Sequence, residues 1–350
     1  MLKNYLKTTV RNLLKSKGFT FILIFGLVSG LSAAFLIYIY VDFETSYDTY
    51  HPKADQLYRI YTANYDDEKG IYTYKDAMSF NLSGPTLKEE IPEITHFGRA
   101  FDVSSGLNLR IDDQVLLEKE AMFVDSGFVE LFGIKWLKGN PEIAFSNTYS
   151  MILTEKAAKK YFGDSDPMGQ MIEVTSGQFE GTYQVNGLIK NTSSNTHLYF
   201  DVLLSYPTIW QSGIEPNWNN FVDYTYFRVV EDTDMKALNE KLFPLSKKYL
   251  SENTALRFQL QKAKDIHLYS SMSYEAEING DASTVYFLSV IAIFILVIAW
   301  INYINLSTAK AMERAAETTI GSMTSIVGLT GAQVGQIVDR LDEVVIANEL

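Results

Sequence analysis

Phe19–Val41 reads FTFILIFGLVSGLSAAFLIYIYV, a stretch with no formal charge. A second uncharged stretch runs from Ala282 to Ala309, with its apolar heart at Val285–Trp300, VYFLSVIAIFILVIAW. A helix needs roughly 20 mostly apolar residues to cross about 30 Å of hydrocarbon. Both stretches meet that length, and a large segment of ordinary globular composition lies between them. A secretory signal has an apolar core of only about 7–15 residues, so the first stretch reads as an uncleaved anchor.

The flanks set the expected sidedness. Lys3, Lys7, Arg11, Lys15 and Lys17 precede the first span, and Asp42, Glu44 and Asp48 follow it. Lys and Arg collect on the cytoplasmic side, which puts the N-terminus inside and the intervening domain outside. Lys310 and Arg314 after the second span agree, although Glu313 and Glu317 dilute them. The expected organisation is therefore an interfacial segment at 1–17, spans at 18–41 and 283–306, an outer domain at 42–282 and a cytoplasmic tail at 307–350.

Within 1–17, Leu2, Tyr5, Leu6, Val10, Leu13 and Leu14 fall at helical spacing. Lys3, Lys7, Arg11 and Lys15 recur every four residues on another flank. An amphipathic helix of this kind lies in the membrane interface, with its basic face toward lipid headgroups. In the first span Gly26 and Gly30 are four apart, with Ala33 nearby. Small residues at that spacing let another helix approach closely, and these three form the expected packing face.

The chain carries 30 basic and 42 acidic residues, a net charge of -12. Setting aside the five N-terminal bases leaves 25 basic against 42 acidic. Nucleic acid, which binds through cationic contacts to phosphate, is not an expected partner. There is no cysteine, so disulfides, thiol catalysis and thiolate metal sites are absent.

Between the spans, strand and helix patterns interleave. Strands are expected at Gln56–Tyr61, Leu107–Ile111, Val115–Leu117, Ala121–Val124, Met171–Val174, Thr182–Ile189, Val202–Ser205 and Leu256–Leu260, with a mixed pattern at Tyr224–Val230. Helices are expected at Leu82–Ile91, stopped by Pro92, at Leu153–Tyr161 with Thr154 as N-cap, and at Met235–Tyr249. Gly163–Gly169 reads as a loop. The fold class is a membrane protein whose two transmembrane helices flank a mixed α/β (α+β) outer domain, with two subdomains expected.

No catalytic constellation emerges. His51, His96, His197 and His267 are scattered, with none at metal-motif spacing, and read as surface or loop residues. There is no Gly-Lys dipeptide, hence no phosphate-binding P-loop, and no G-x-S-x-G elbow. The expectation is a chain that is not an enzyme and carries no cofactor.

Several segments together resemble a known family. MLKNYLKTTVRNLLKSKGFTFILIFGLVSGL at the N-terminus is similar to the start of MacB/FtsX-type ABC transporter permeases of the Bacteroidetes type. Phe43–Asp48 with His51, then Ala54–Arg59, resemble the opening of that family's periplasmic core domain. Phe123–Ser126, Phe128, Phe132-Gly133, Leu137–Gly139, Leu153–Glu155, Ala157-Ala158, Tyr161–Gly163 and Asp166–Gly169 continue the likeness. Thr196-His197, Phe200-Asp201 and Ile301–Ala309 complete it, so that it runs from Met1 to about Ala316.

The resemblance implies a permease in the bacterial inner membrane with a separate ABC ATPase subunit as partner. It also implies a homodimer or paired permease, lipid contact and a periplasmic or outer-membrane partner. Its implied role is mechanotransmission: ATP-driven movement of the membrane helices rearranges the periplasmic domains to export lipoprotein, peptide or drug. After Arg314 the likeness stops. The family's basic ATPase-docking helix is replaced by Glu317–Gly328, ETTIGSMTSIVG, and Val334, Ile337, Val338, Leu341 and Val345 then form one amphipathic pattern. A first half of a permease, or an altered end, is the expectation there. The alternative is a two-span envelope receptor or scaffold whose outer domain binds a ligand or protein.

Overall fold

The computed structural model describes residues 17–103, 105–175, 177–251, 254–327, 335–336 and 338–339. The basic face at Lys3, Lys7, Arg11 and Lys15 lies outside them, as does most of the pattern from Val334 to Val345.

The described chain sorts into two units. The first holds the apolar helices, which run Lys17–Thr45 and Ala282–Val327. Their segments Ile24–Thr45 and Ala282–Ala309 are long and apolar enough to cross a membrane. Both helices run on past the expected ends of the spans, at Val41 and residue 306. Large apolar side chains such as Phe25, Phe35, Phe294 and Trp300 are exposed along them, which water does not tolerate over such a length and hydrocarbon does. The less exposed line of the first helix follows Gly26, Gly30, Ala33 and Ala34. A Cβ on Gly26 would stand 3.3 Å from Asn302 Nδ2, and one on Gly30 would stand 3.3 Å from Ala299 Cβ. The small residues of the first helix therefore admit the second helix at close range, with Ala33 and Ala34 continuing the line.

The second unit, Asp42–Val285, is an α/β domain on a 14-stranded sheet. In chain order its strands are β1 (Leu57–Asp66), β2 (Ile71–Asp76), β3 (Ser79–Phe80), β4 (Ile94–Asp102), β5 (Leu107–Ile111), β6 (Gln114–Glu118) and β7 (Ala121–Val124). They continue as β8 (Trp136–Gly139), β9 (Ser150–Thr154), β10 (Met171–Val174), β11 (Gly181–Ile189), β12 (Val202–Ser205), β13 (Phe221–Val229) and β14 (Leu256–Lys262). The main path is β14-β1-β13-β4-β7-β12-β9-β11-β10-β5-β6. Among the strand pairs of the described residues, β7–β12 and β9–β11 are parallel. The central strands β7, β9 and β12 are buried at every residue, as continuous apolar runs covered on both faces should be. Strand β11 alternates between buried and exposed positions, the period of a half-covered strand.

Three buried clusters fill the core. One, around Ile60, Phe227 and Phe258, lies under helices Ser83–Glu90 and Met235–Tyr249. A second gathers on Phe123, Met151 and Tyr183. The third packs Phe128, Phe132, Leu198 and Tyr226. Thr154 caps helix Glu155–Phe162 by accepting from the Ala157 amide, and Met235–Tyr249 forms as a single helix with Pro244 inside it. The sequence pattern does not show strands β2, β3, β4, β8 and β9 or the helices Ser126–Phe132, Pro141–Ser146 and Pro207–Gln211, and the helix expected from Leu153 starts at Glu155, because Leu153 and Thr154 end β9. Strand β4, ITHFGRAFD, mixes polar and aromatic residues, and only Ile94, Gly98 and Ala100 are buried along it.

Candidate functional site

The densest buried polar cluster lies where the chain leaves the first helix. Asp48 follows Thr45 by three residues, holds a left-handed backbone at φ 55° and is 1% exposed. Its carboxylate accepts from His51 Nε2 at 3.1 Å, Thr196 Oγ1 at 2.9 Å and His197 Nδ1 at 2.7 Å. The His197 amide points at the same carboxylate from 3.3 Å. On its far side His197 Nε2 meets the Tyr226 hydroxyl at 2.7 Å. His51 Nδ1 lies 3.0 Å from the Phe132 carbonyl. Both His51 nitrogens thus face oxygen atoms, one on Asp48 and one on the Phe132 carbonyl.

Burial by itself raises the Asp48 carboxyl, but the charges and hydrogen bonds of His197 and His51 outweigh it and hold the group well below the usual carboxylate range. The loop between β11 and β12 reinforces the join. Asn195 Nδ2 donates to Ser46 Oγ at 2.9 Å, and the Asp48 amide donates to the Asn195 carbonyl at 3.1 Å.

Two further links flank this cluster. Glu44, on the last turn of the helix, meets His267 Nε2 at 2.8 Å, and the Tyr47 ring stacks on His267 with centroids 3.4 Å apart. Gly280 is required here, because a Cβ would stand 2.7 Å from Glu44 Oε2 and 2.8 Å from His267 Nε2. Near the approach to the second helix, Arg59 on β1 is 1% exposed. It grips Glu275 with both terminal nitrogens, and Nη2 also donates to Gln261 Oε1 at 2.9 Å and Ser270 Oγ at 3.2 Å. Charged hydrogen bonds overcome Arg59's burial and raise its guanidinium further. The chain thus enters and leaves this domain through buried ionic links.

This arrangement corrects the reading of the histidines. His51, His197 and His267 are buried at 7%, 3% and 5% exposure, and only His96 is partly open at the surface. Spacing along the chain could not reveal this, because Asp48 and His197 are 149 residues apart. The sequence did hold one signal: Tyr47-Asp48, His51, Phe132 and Thr196-His197 all fall in the segments that carry the family resemblance. The cluster's donors and acceptors are spent on one another. Among the described residues, no group of three or more His, Asp or Glu is placed to hold a metal ion. The Gly26, Gly30 and Ala33 face lies in the other unit and takes no part in this site.

The class the fold defines is a mixed α/β domain with its chain connections fastened by buried ion pairs, carried between two helices long and apolar enough to cross a membrane. Residues 20–243 match the model of the MacB-like periplasmic core domain, and the chain belongs to that family. Among solved structures, a domain of a protein assigned as a permease from Porphyromonas gingivalis is similar at TM-score 0.51 and 18% identity. The match covers 61% of this chain and 92% of that one, and it is a likeness of fold. The periplasmic region of MacB from Actinobacillus actinomycetemcomitans matches at TM-score 0.42 and 13% identity, over 59% of this chain and 90% of that one. The extracellular domain of the noncanonic ABC-type transporter YknZ from Gram-positive bacteria matches at TM-score 0.42 and 13% identity, over 58% and 99%. No curated protein sequence matches this chain.

Proposed function

We propose that this chain serves in the permease of a MacB/FtsX-type ABC transporter in the bacterial inner membrane. The observation that carries the proposal is a MacB-like periplasmic core domain matched over residues 20–243 and bracketed by two membrane-length helices. The termini face the cytoplasm, and the domain faces the periplasm as one of a pair. ATP hydrolysis by a partner subunit moves the helices, and the domain rearranges to drive lipoprotein, peptide or drug outward. The chain itself performs no covalent chemistry.

The buried links at Glu44, Asp48 and Arg59 support that reading. A mechanical transmission needs joints that do not slip, and breaking a buried ion pair on one side is strongly unfavourable. The three core clusters support a division of the domain into two subdomains, with the Phe227–Phe258 end as one and the Phe123–Tyr183 end as the other. Co-expression with the ABC ATPases of the same cell, followed by affinity purification of the full chain in lipid nanodiscs, tests the proposal. An ATPase subunit copurifies, and its hydrolysis rate changes when Asp48 is replaced by Asn. Purification without any ATPase, with the chain intact and folded, contradicts it.

A further inference from the structure

A cavity of about 420 Å³ opens beside the Asp48 cluster, with His51 in its wall. That volume falls within the range of small-ligand sites. Phe132, Ile134, Leu198 and Phe200 give it an apolar lining, and Lys135 and Lys190 stand at its polar side. The two lysines extend the β8–β11 ladder. Ile189 pairs with Trp136, and one step further the Lys190 amide donates to the Lys135 carbonyl at 2.9 Å. Both side chains are exposed. Neither has a carboxylate within ion-pair reach among the described residues. Like charges facing each other across a ladder repel. In a chain of net charge -12, two cross-strand lysines without an acid between them are an unbalanced feature.

We infer that this cavity is a binding site for a small amphipathic carboxylate, with an apolar tail between Phe132, Ile134 and Phe200 and its head held by Lys135 and Lys190. The tail fills the hollow against the half-buried Ile134 and the remaining open edges of Phe132 and Phe200. The head relieves the repulsion between the two ammonium groups through charge-assisted hydrogen bonds. The site owes nothing to ATP or to a partner subunit, so it stands whether or not the chain transports.

Octanoate is the probe, titrated calorimetrically into the full chain in lipid nanodiscs, with protein-free nanodiscs subtracted. Octanoate binds saturably at one site per chain. The double variant Lys135→Glu/Lys190→Glu raises its Kd at least tenfold and gains binding of octylammonium. Ile134→Trp, which fills the cavity, abolishes octanoate binding while both lysines remain. The absence of saturable binding overturns the inference. So does octanol binding as tightly as octanoate, or a charge-reversed variant that binds octanoate unchanged. Octyl phosphate binding more tightly than octanoate overturns the assignment of a carboxylate head.

Discussion

Asp48 and Asp223 are both buried carboxyls of the same domain, and their surroundings push them in opposite directions. Asp48 sits among His51, Thr196 and His197, and its charged form is held. Asp223, on β13, is 0% exposed and accepts from the Tyr206 hydroxyl, while its Oδ1 has no partner among the described residues. Burial pushes it up to about 7, against the pull of Arg99. Arg99 itself is paired with Asp125 at 3.0 Å and lies over the Tyr206 ring. Burial alone therefore does not decide whether a carboxylate is charged. What decides it is how many donors and cations face its two oxygens. The cluster at the helix exit spends a full set of them, and β13 does not.

The largest effect is expected from Asp48→Ala. It strands two imidazoles and a threonine hydroxyl in the core, at a cost of about 3–5 kcal/mol. Thermal melting of the full chain in nanodiscs measures it. Asp223→Asn has the opposite sign. A carboxyl raised in the fold contributes stability that is full below its unfolded value of about 3.9 and is lost as pH rises through about 7. The asparagine variant is therefore more stable than the parent at pH 8, by roughly 1–3 kcal/mol, and the difference vanishes toward about pH 4.

His51→Gln brings the two carboxyls closer in behaviour. It removes one hydrogen-bond partner from Asp48, at a cost of about 1–2 kcal/mol. The native Asp48 carboxyl is depressed, so its stabilisation is present above about pH 4 and is lost as pH falls below that value. In His51→Gln the acid limb of the melting curve moves to higher pH. An unchanged limb would separate His51 from the charge of Asp48. The smallest effect on the domain belongs to Gly26→Leu/Gly30→Leu, which touches neither carboxyl. Crosslinking between the two helices through positions other than 26 and 30 falls, while the melting of the domain shifts by less than about 0.5 kcal/mol.

The same contrast explains what the sequence made legible. The spans and the small-residue line at Gly26 and Gly30 are local patterns, and Thr154 as a cap needs only its next three residues. The apolar runs of β7 and β12 likewise announce themselves, whereas β9 runs straight into the helix that Thr154 caps and does not. The ionic joints do not, because the partners of Asp48 come from residues 51, 196 and 197 and are brought together by the pairing of β12 with β7 and β9. Glu44 and His267 are 223 residues apart. Periodicity registers what one element buries, not which distant loop completes its hydrogen bonds. The family resemblance came nearest, since it singled out the Asp48, His51 and Thr196-His197 segments without relating them to one another.

Asp48 locks the exit of the first helix to the domain, and amide hydrogen exchange tests that lock residue by residue. In the parent chain the amides of Asp48 and His197, which donate to Asn195 and to the Asp48 carboxylate, exchange slowly. In Asp48→Asn they exchange at least about tenfold faster, equivalent to about 1.4 kcal/mol of local opening, while amides of β9 and β12 keep their protection. Identical exchange at Asp48 and His197 in the two chains would contradict the claim.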